Sequence, residues 1–302
     1  MVDYMSEYFL QLPAREPRYT QCFWKAGNGR AEKLGVTNSE RYPIIAQAGE
    51  DILTALQNAF SGSVFYKMRL GAGEYFPRMA RPTGAYELSP GKNPDPHREF
   101  QISRAKSTGQ LHAFIGQLQG ICQTIHPEGD NLRTYGHATR NLLILACTEV
   151  ELLCRQILED NGYRSMNNDG RFTTRDYVKI LKPMRLDEYV VNLTWYPWLS
   201  PTCPFVYWQA QQPTKSLPWY NAYNKVKHDR EVSFPEATLR RAIDAVTACF
   251  VLISAQHGLD FARMGEDGAR EFFQLEKAPS WDFTECYVPP NGAGYSAVHY
   301  SF

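Results

Sequence analysis

The sequence predicts a mainly α protein: a helical bundle, preceded by a smaller mixed α/β region and followed by an irregular C-terminal tail. Three observations carry this. Four apolar seams of similar length repeat at helical spacing. A proline- and glycine-rich stretch from Pro82 to Pro96 separates the main helical series from the first hundred residues. After Gly258 the chain turns aromatic and aperiodic. The implied boundaries are 1–97 for the mixed region, 98–258 for the bundle, and 259–302 for an extension packing on the bundle.

The elements follow in chain order. Pro43 to Phe60 reads as a helix, with Ile44, Ala48, Ile52, Ala55 and Leu56 on one stripe. Val64 to Met79 reads as short strands broken by Gly71 and Gly73. Ser103 to Ile125 is a helix with Leu111, Phe114, Leu118, Ile121 and Ile125 aligned. Its Gly109, Gly116 and Gly120 weaken it but would let another helix approach closely. Asn131 to Asp160 is the longest pattern, stopped by Gly162. Thr174 to Leu181 is a short helix ahead of Pro183. Trp195 to Pro218 holds too many prolines for one helix. Pro218 suits a first helical position, with Ser216 as its cap. Pro235 opens the last long helix, seamed by Leu239, Ile243, Val246, Phe250 and Ile253. Strands are expected near Phe272–Leu275 and Phe283–Val288.

The chain has 302 residues with 32 basic and 32 acidic side chains, so its formal net charge is zero. Bulk attraction to nucleic acid is excluded, and any such binding must use a local patch. No run approaches the ~18 apolar residues of a transmembrane helix, and Met1 to Leu10 lacks the order of a signal peptide. The seven cysteines are scattered without a C-x-x-C pair, as in reduced cytoplasmic proteins, and predict neither a disulfide framework nor a zinc site. No phosphate-binding loop, H-E-x-x-H or G-x-S-x-G occurs, and Gly27-Asn28-Gly29 is only a turn. No cofactor or metal is called for.

The densest chemistry lies in Pro218 to Arg230, where His228, Lys225, Lys227, Arg230, Asn221 and Asn224 are interleaved with Trp219, Tyr220 and Tyr223. On a helix, Asn221, Asn224 and His228 share one face. A neutral imidazole can take a proton from a ribose hydroxyl, and nearby cations can stabilise charge building on a phosphate. The same cations equally suit a helix C-terminus, whose dipole favours them. Glu149 lies about 20° from Leu142 and about 40° from Leu153 on a helical wheel, inside the apolar stripe, whereas Glu151 points away. A core-facing carboxylate needs a partner, and His228, Lys225, Lys227 and Arg230 are the candidates, whether for function or for helix register. Arg133, His137 and Arg140 form a second basic row, either a phosphate contact or a solvated face.

The order of a long helix bearing Tyr135-Gly136-His137, Arg140-Asn141 and Cys147-Thr148-Glu149-Val150-Glu151, then an aromatic loop, then Trp219 to Arg230, then a final long helix, resembles the HEPN superfamily over residues 100–258. That resemblance implies a HEPN-like bundle and a metal-independent ribonuclease or nucleotide-handling, toxin-like effector of bacterial defence, usually a homodimer. His228 would be the general acid/base, with Lys227, Lys225 and Arg230 holding phosphate. Asn221, Asn224, Tyr220, Tyr223, His137 and Arg140 would line the substrate site, and Glu149 would orient the cluster. The family's motif arginine is missing, since Asn221, Ala222 and Tyr223 stand where it belongs. The alternative is an inactive module that binds RNA, a nucleotide or a partner protein. The aromatic loop with Trp195, Trp198, Tyr207 and Trp208 is a further candidate partner surface.

Overall fold

The computed structural model describes residues 6–14, 22–35, 42–82, 98–258, 269–290 and 294–302; the side chains of residues 98–100, 230 and 269–270 lie outside the described set. Most of the Pro82–Pro96 linker also lies outside it. The chain divides into two compact units. One comprises Met1–Phe76, Ala80–Pro96 and Ser280–Val298; the other comprises Pro77–Met79, His97–Pro279 and His299–Phe302.

The first unit is built on a five-stranded antiparallel sheet in the order β4-β3-β2-β1-β5. Its strands are β1 (Glu7–Pro13), β2 (Cys22–Gly27), β3 (Arg30–Lys33), β4 (Ile44–Ile45) and β5 (Ser63–Lys67). Asn28 and Gly29 close the β2–β3 hairpin with φ of 53° and 69°, as a two-residue turn with positive φ at both positions requires. α1 (Ile52–Ala59) is capped by Asp51, whose carboxylate accepts from the Leu53 and Thr54 amides. It covers one sheet face, where Phe9, Trp24, Ala31, Leu56 and Phe65 cluster. Leu10, Leu12, Met68, Cys286 and Val288 cluster separately. Both flanks of β1 are therefore buried. A short β6 (Glu74–Tyr75) runs parallel to Ser296–Ala297.

The second unit centres on α7 (Leu239–His257), buried on all sides from Ala245 to His257. α2 (Arg98–Thr124) and α3 (His137–Asp160) pack on it and on each other. α4 (Thr174–Tyr177) precedes an antiparallel strand pair, β7 (Val190–Leu193) with β8 (Phe273–Lys277). α5 (Pro218–His228) packs on α3 and α7, and α6 (Arg230–Ser233) follows it. The Asp176 carboxylate, 5% exposed, gathers Tyr163, Ser165 and Thr173 as donors and ties down the loop before α4.

Helices account for 45% of the chain and strands for 17%, so the architecture is mixed α/β. This corrects the mainly α, HEPN-like bundle with a minor N-terminal appendage. The sheet of the first unit was the missing element. The long helices stand where their periodicity placed them, but α2 starts five residues earlier than Ser103 and α3 six residues later than Asn131. Pro235 sits inside a 3-10 turn (Phe234–Glu236), and α7 starts only at Leu239, capped by Thr238. Pro218 is at the start of α5 as expected, but the cap position is Leu217, which has no side chain to accept a bond, rather than Ser216. Residues 44–45 are a strand rather than the start of a helix. Phe283–Glu285 is a 3-10 turn rather than a strand. Among the described residues, a Cβ at Gly109, Gly116 or Gly120 would meet nothing within 4 Å, so no described helix approaches closely at these glycines.

Candidate functional site

α5 forms because Pro218 presets its first turn and its apolar side fits the groove beside α3. Trp219, Tyr220, Ala222, Tyr223 and Val226 are buried on that side. Tyr220 is 7% and Tyr223 2% exposed. The Trp219 indole donates to the Pro204 carbonyl at 2.9 Å and anchors the helix start. This leaves Asn224, Lys225, Lys227 and His228 on the water side, with Asn221 at the boundary.

The acid that meets α5 is Glu151. The Tyr220 hydroxyl donates to Glu151 Oε1 at 2.5 Å. Lys227 Nζ donates to the Tyr223 hydroxyl at 2.9 Å and lies 5.1 Å from the centre of the same ring. Burial pushes the Tyr220 phenol well above its usual range, and the adjacent Glu151 carboxylate pushes it further. Burial likewise raises Tyr223. The bond to Tyr223 holds the Lys227 ammonium above its ordinary value. Phenols shifted upward stay protonated and serve as donors; they cannot be the base of a reaction at neutral pH. The four groups are a polar clamp between α3 and α5, with one charged end in water.

Glu149 lies elsewhere. It is half-buried, its carboxyl is raised by that burial alone, and no described residue pairs with it. The expected meeting of Glu149 with His228, Lys225 and Lys227 is not made. The buried arc of α3 also contains Leu143, Cys147, Cys154 and Leu158. It therefore spans about 160° of the wheel, and Glu149 and Glu151 sit on its opposite edges.

Lys225 is engaged: its ammonium pairs with Glu236 Oε1 at 2.6 Å, and Arg241 binds the other oxygen of the same carboxylate. These bonds, Lys225 first, hold the Glu236 carboxyl below its usual range. His137, exposed at the start of α3, lies with its ring 5.1 Å from that of Phe234, which also meets Tyr135 edge-on. Arg140 Nη1 reaches Asn141 Oδ1 at 3.3 Å. Among the described residues His228 has no hydrogen bond or ion pair. The side chain of Arg230 lies outside the described residues. Reading from sequence missed Glu151, Glu236, Arg241 and Phe234. Glu236 carries a local signal, lying five residues before Arg241, but its reach to Lys225 depends on the turn through α6.

In the aromatic loop, Trp208 is buried and bonded to the Pro213 carbonyl. Trp198, 48% exposed, stacks on His126 at 5.0 Å, while Trp195 and Tyr207 are exposed. Separately, a cleft of about 390 Å³ opens between α2 and α3, lined by Gln117, Gly120, Ile121, Ile125, Ala138 and Asn141 among others. Among the described residues no group of three or more His, Cys, Asp or Glu could hold a metal ion, and no helix is long and apolar enough to cross a membrane. No family model, curated protein or solved structure matches the chain.

Proposed function

We propose that this protein binds a phosphate-bearing ligand of the RNA or nucleotide class at the outer turn of α5, without cleaving it. One observation carries the reading: His228, Lys227 and Asn224 are exposed together on one helical turn, yet among the described residues no carboxylate or second base is bonded to His228. Exposed imidazole and ammonium donors suit phosphate oxygens. General acid–base chemistry needs a partner group within hydrogen-bond reach of the same proton path, and the phenols nearby are held protonated. The withdrawal of Lys225 into the Glu236 pair limits the patch to few cations, in keeping with the zero net charge.

The test is fluorescence anisotropy with a labelled single-stranded RNA and, in a second arm, a mononucleotide, both in EDTA. Wild type is expected to bind at least one of them, and the Lys227→Ala and His228→Ala double variant to lose most of the affinity. With one or two phosphates neutralised, log K should fall with log salt at a slope of about −0.7 to −1.4. Gel analysis of the same RNA decides the rival reading. Cleavage by wild type that His228→Ala abolishes would establish a metal-independent ribonuclease instead.

A further inference from the structure

We propose that the exposed aromatic face around Trp195 and Trp198 docks an arginine-bearing segment of a partner protein. The two indoles are 51% and 48% exposed, yet both are held in place. Trp195 meets the buried Phe272 ring edge-on at 6.0 Å, Phe272 meets Tyr196 at 6.0 Å, and Tyr196 meets Trp198 at 5.8 Å. Trp198 in turn stacks on His126 at 5.0 Å and donates its indole N–H to the Pro127 carbonyl at 3.0 Å. The Tyr196 hydroxyl donates to the Cys122 sulfur on α2. A loop that only needed covering would bury these rings, as it buries Trp208. Fixed, half-exposed tryptophans are what a binding hot spot presents.

Charge names the occupant. The exposed Glu128 carboxylate lies 3.4 Å from Nε2 of the His126 ring on which Trp198 stacks, and Asp130, 98% exposed, follows in the next turn. Glu271, also exposed, flanks the other end: its carbonyl accepts the hydroxyl of Thr194, the residue before Trp195. Among the described residues Arg133 is the only guanidinium or ammonium paired with these acids. Its 3.9 Å contact with Asp130 joins two side chains in water and is worth little. α2 ends at Thr124, just before His126, with no basic residue in its last turn, so its carbonyl dipole adds to the negative side unopposed. Ring faces edged by carboxylates select a cation. Arginine fits better than lysine, because its planar, weakly hydrated guanidinium stacks on an indole while forking onto a carboxylate. Nucleic acid would bring phosphates against the acidic rim. The face shares no residue with the α5 patch.

Fluorescence anisotropy of the full chain with a short labelled peptide of alternating arginine and serine tests this. Wild type is expected to bind it, to bind a lysine–serine twin several-fold less tightly, and to ignore a glutamate–serine twin. Trp195→Ala and Trp198→Ala should each weaken binding by about fivefold or more. Glu128→Gln should weaken it too, and Trp198→Phe, which keeps a ring, should lose less than Trp198→Ala. Circular dichroism and melting are expected unchanged in Glu128→Gln and Trp198→Phe, so a loss there reads as a lost contact rather than a lost fold. Tyr207→Ala removes an aromatic that is 67% exposed and has no ring contact with the cluster among the described residues, and should leave binding in place. No binding of the arginine peptide, equal binding of either twin, or binding that both Trp195→Ala and Trp198→Ala leave unchanged overturns the proposal. So does capture of single-stranded RNA that Trp198→Ala abolishes, which would give the face to nucleic acid.

Discussion

Glu149 and Glu151 differ by two positions and by the whole breadth of a helix's buried arc. Each is near the core, but only Glu151 has a donor, the Tyr220 hydroxyl. Replacing Tyr220 by Phe removes that donor while preserving the ring. Urea unfolding should show a loss of about 1.5–3 kcal/mol, the scale of a hydrogen bond to a charged group; a neutral result would mean water replaces the phenol. His257 contributes to the pH response. It is 3% exposed, and burial first, then Arg78 and Arg104, pull its pKa from 6.5 to about 3. The folded state therefore holds it neutral while the unfolded chain protonates it. Stability is complete above pH 6.5 and falls as pH drops toward 3, by up to about 1.4 kcal/mol per pH unit. Glu149 and Asp244, both raised by burial, act with the opposite sign. The drop in urea midpoint between pH 6.5 and 5 should shrink in His257→Gln. An unchanged drop would assign the effect to other groups.

At the scale of elements, α7 holds the second unit together. Phe250 is fully buried and its ring is 4.8 Å from that of Phe273 on β8, linking the central helix to the strand pair. Phe250→Ala should cost about 3–5 kcal/mol, read as a lowered melting temperature; a cost under about 1 kcal/mol would mean the surroundings collapse into the gap. α7 and α3 were legible because one-sided or continuous apolar periodicity over five or more turns admits few alternatives. β1 was not. Its Tyr8-Phe9-Leu10-Gln11-Leu12 run does not alternate, since Phe9 joins one buried cluster and Leu10 and Leu12 another. A strand buried on both flanks loses the period-two signature on which sequence reading depends. The β2–β3 turn at Asn28-Gly29 was the one local sign of a hairpin.

For the molecule as a whole, architecture is the sum of a sheet-based unit and a helical one, and the helical likeness spoke only for the second. The binding proposal belongs at this scale too. Phosphate affinity should be weak and only mildly dependent on salt, because the overall charge is zero and a few α5 groups act alone. Isothermal titration at two salt concentrations checks it; a steep salt dependence would require a basic surface beyond α5. Sequence by itself determined the long helices of the second unit and the turn at Asn28-Gly29, since each follows from spacing along a few consecutive residues; that Tyr220 and Tyr223, read from sequence as substrate-site residues, are buried against α3 was decided by packing. Which carboxylate meets α5, that Glu236 takes Lys225, and that the first unit closes into a sheet were decided by packing between segments far apart in the chain. Local periodicity fixes which side of an element is buried, but only the neighbour across the gap decides which edge residue finds a partner.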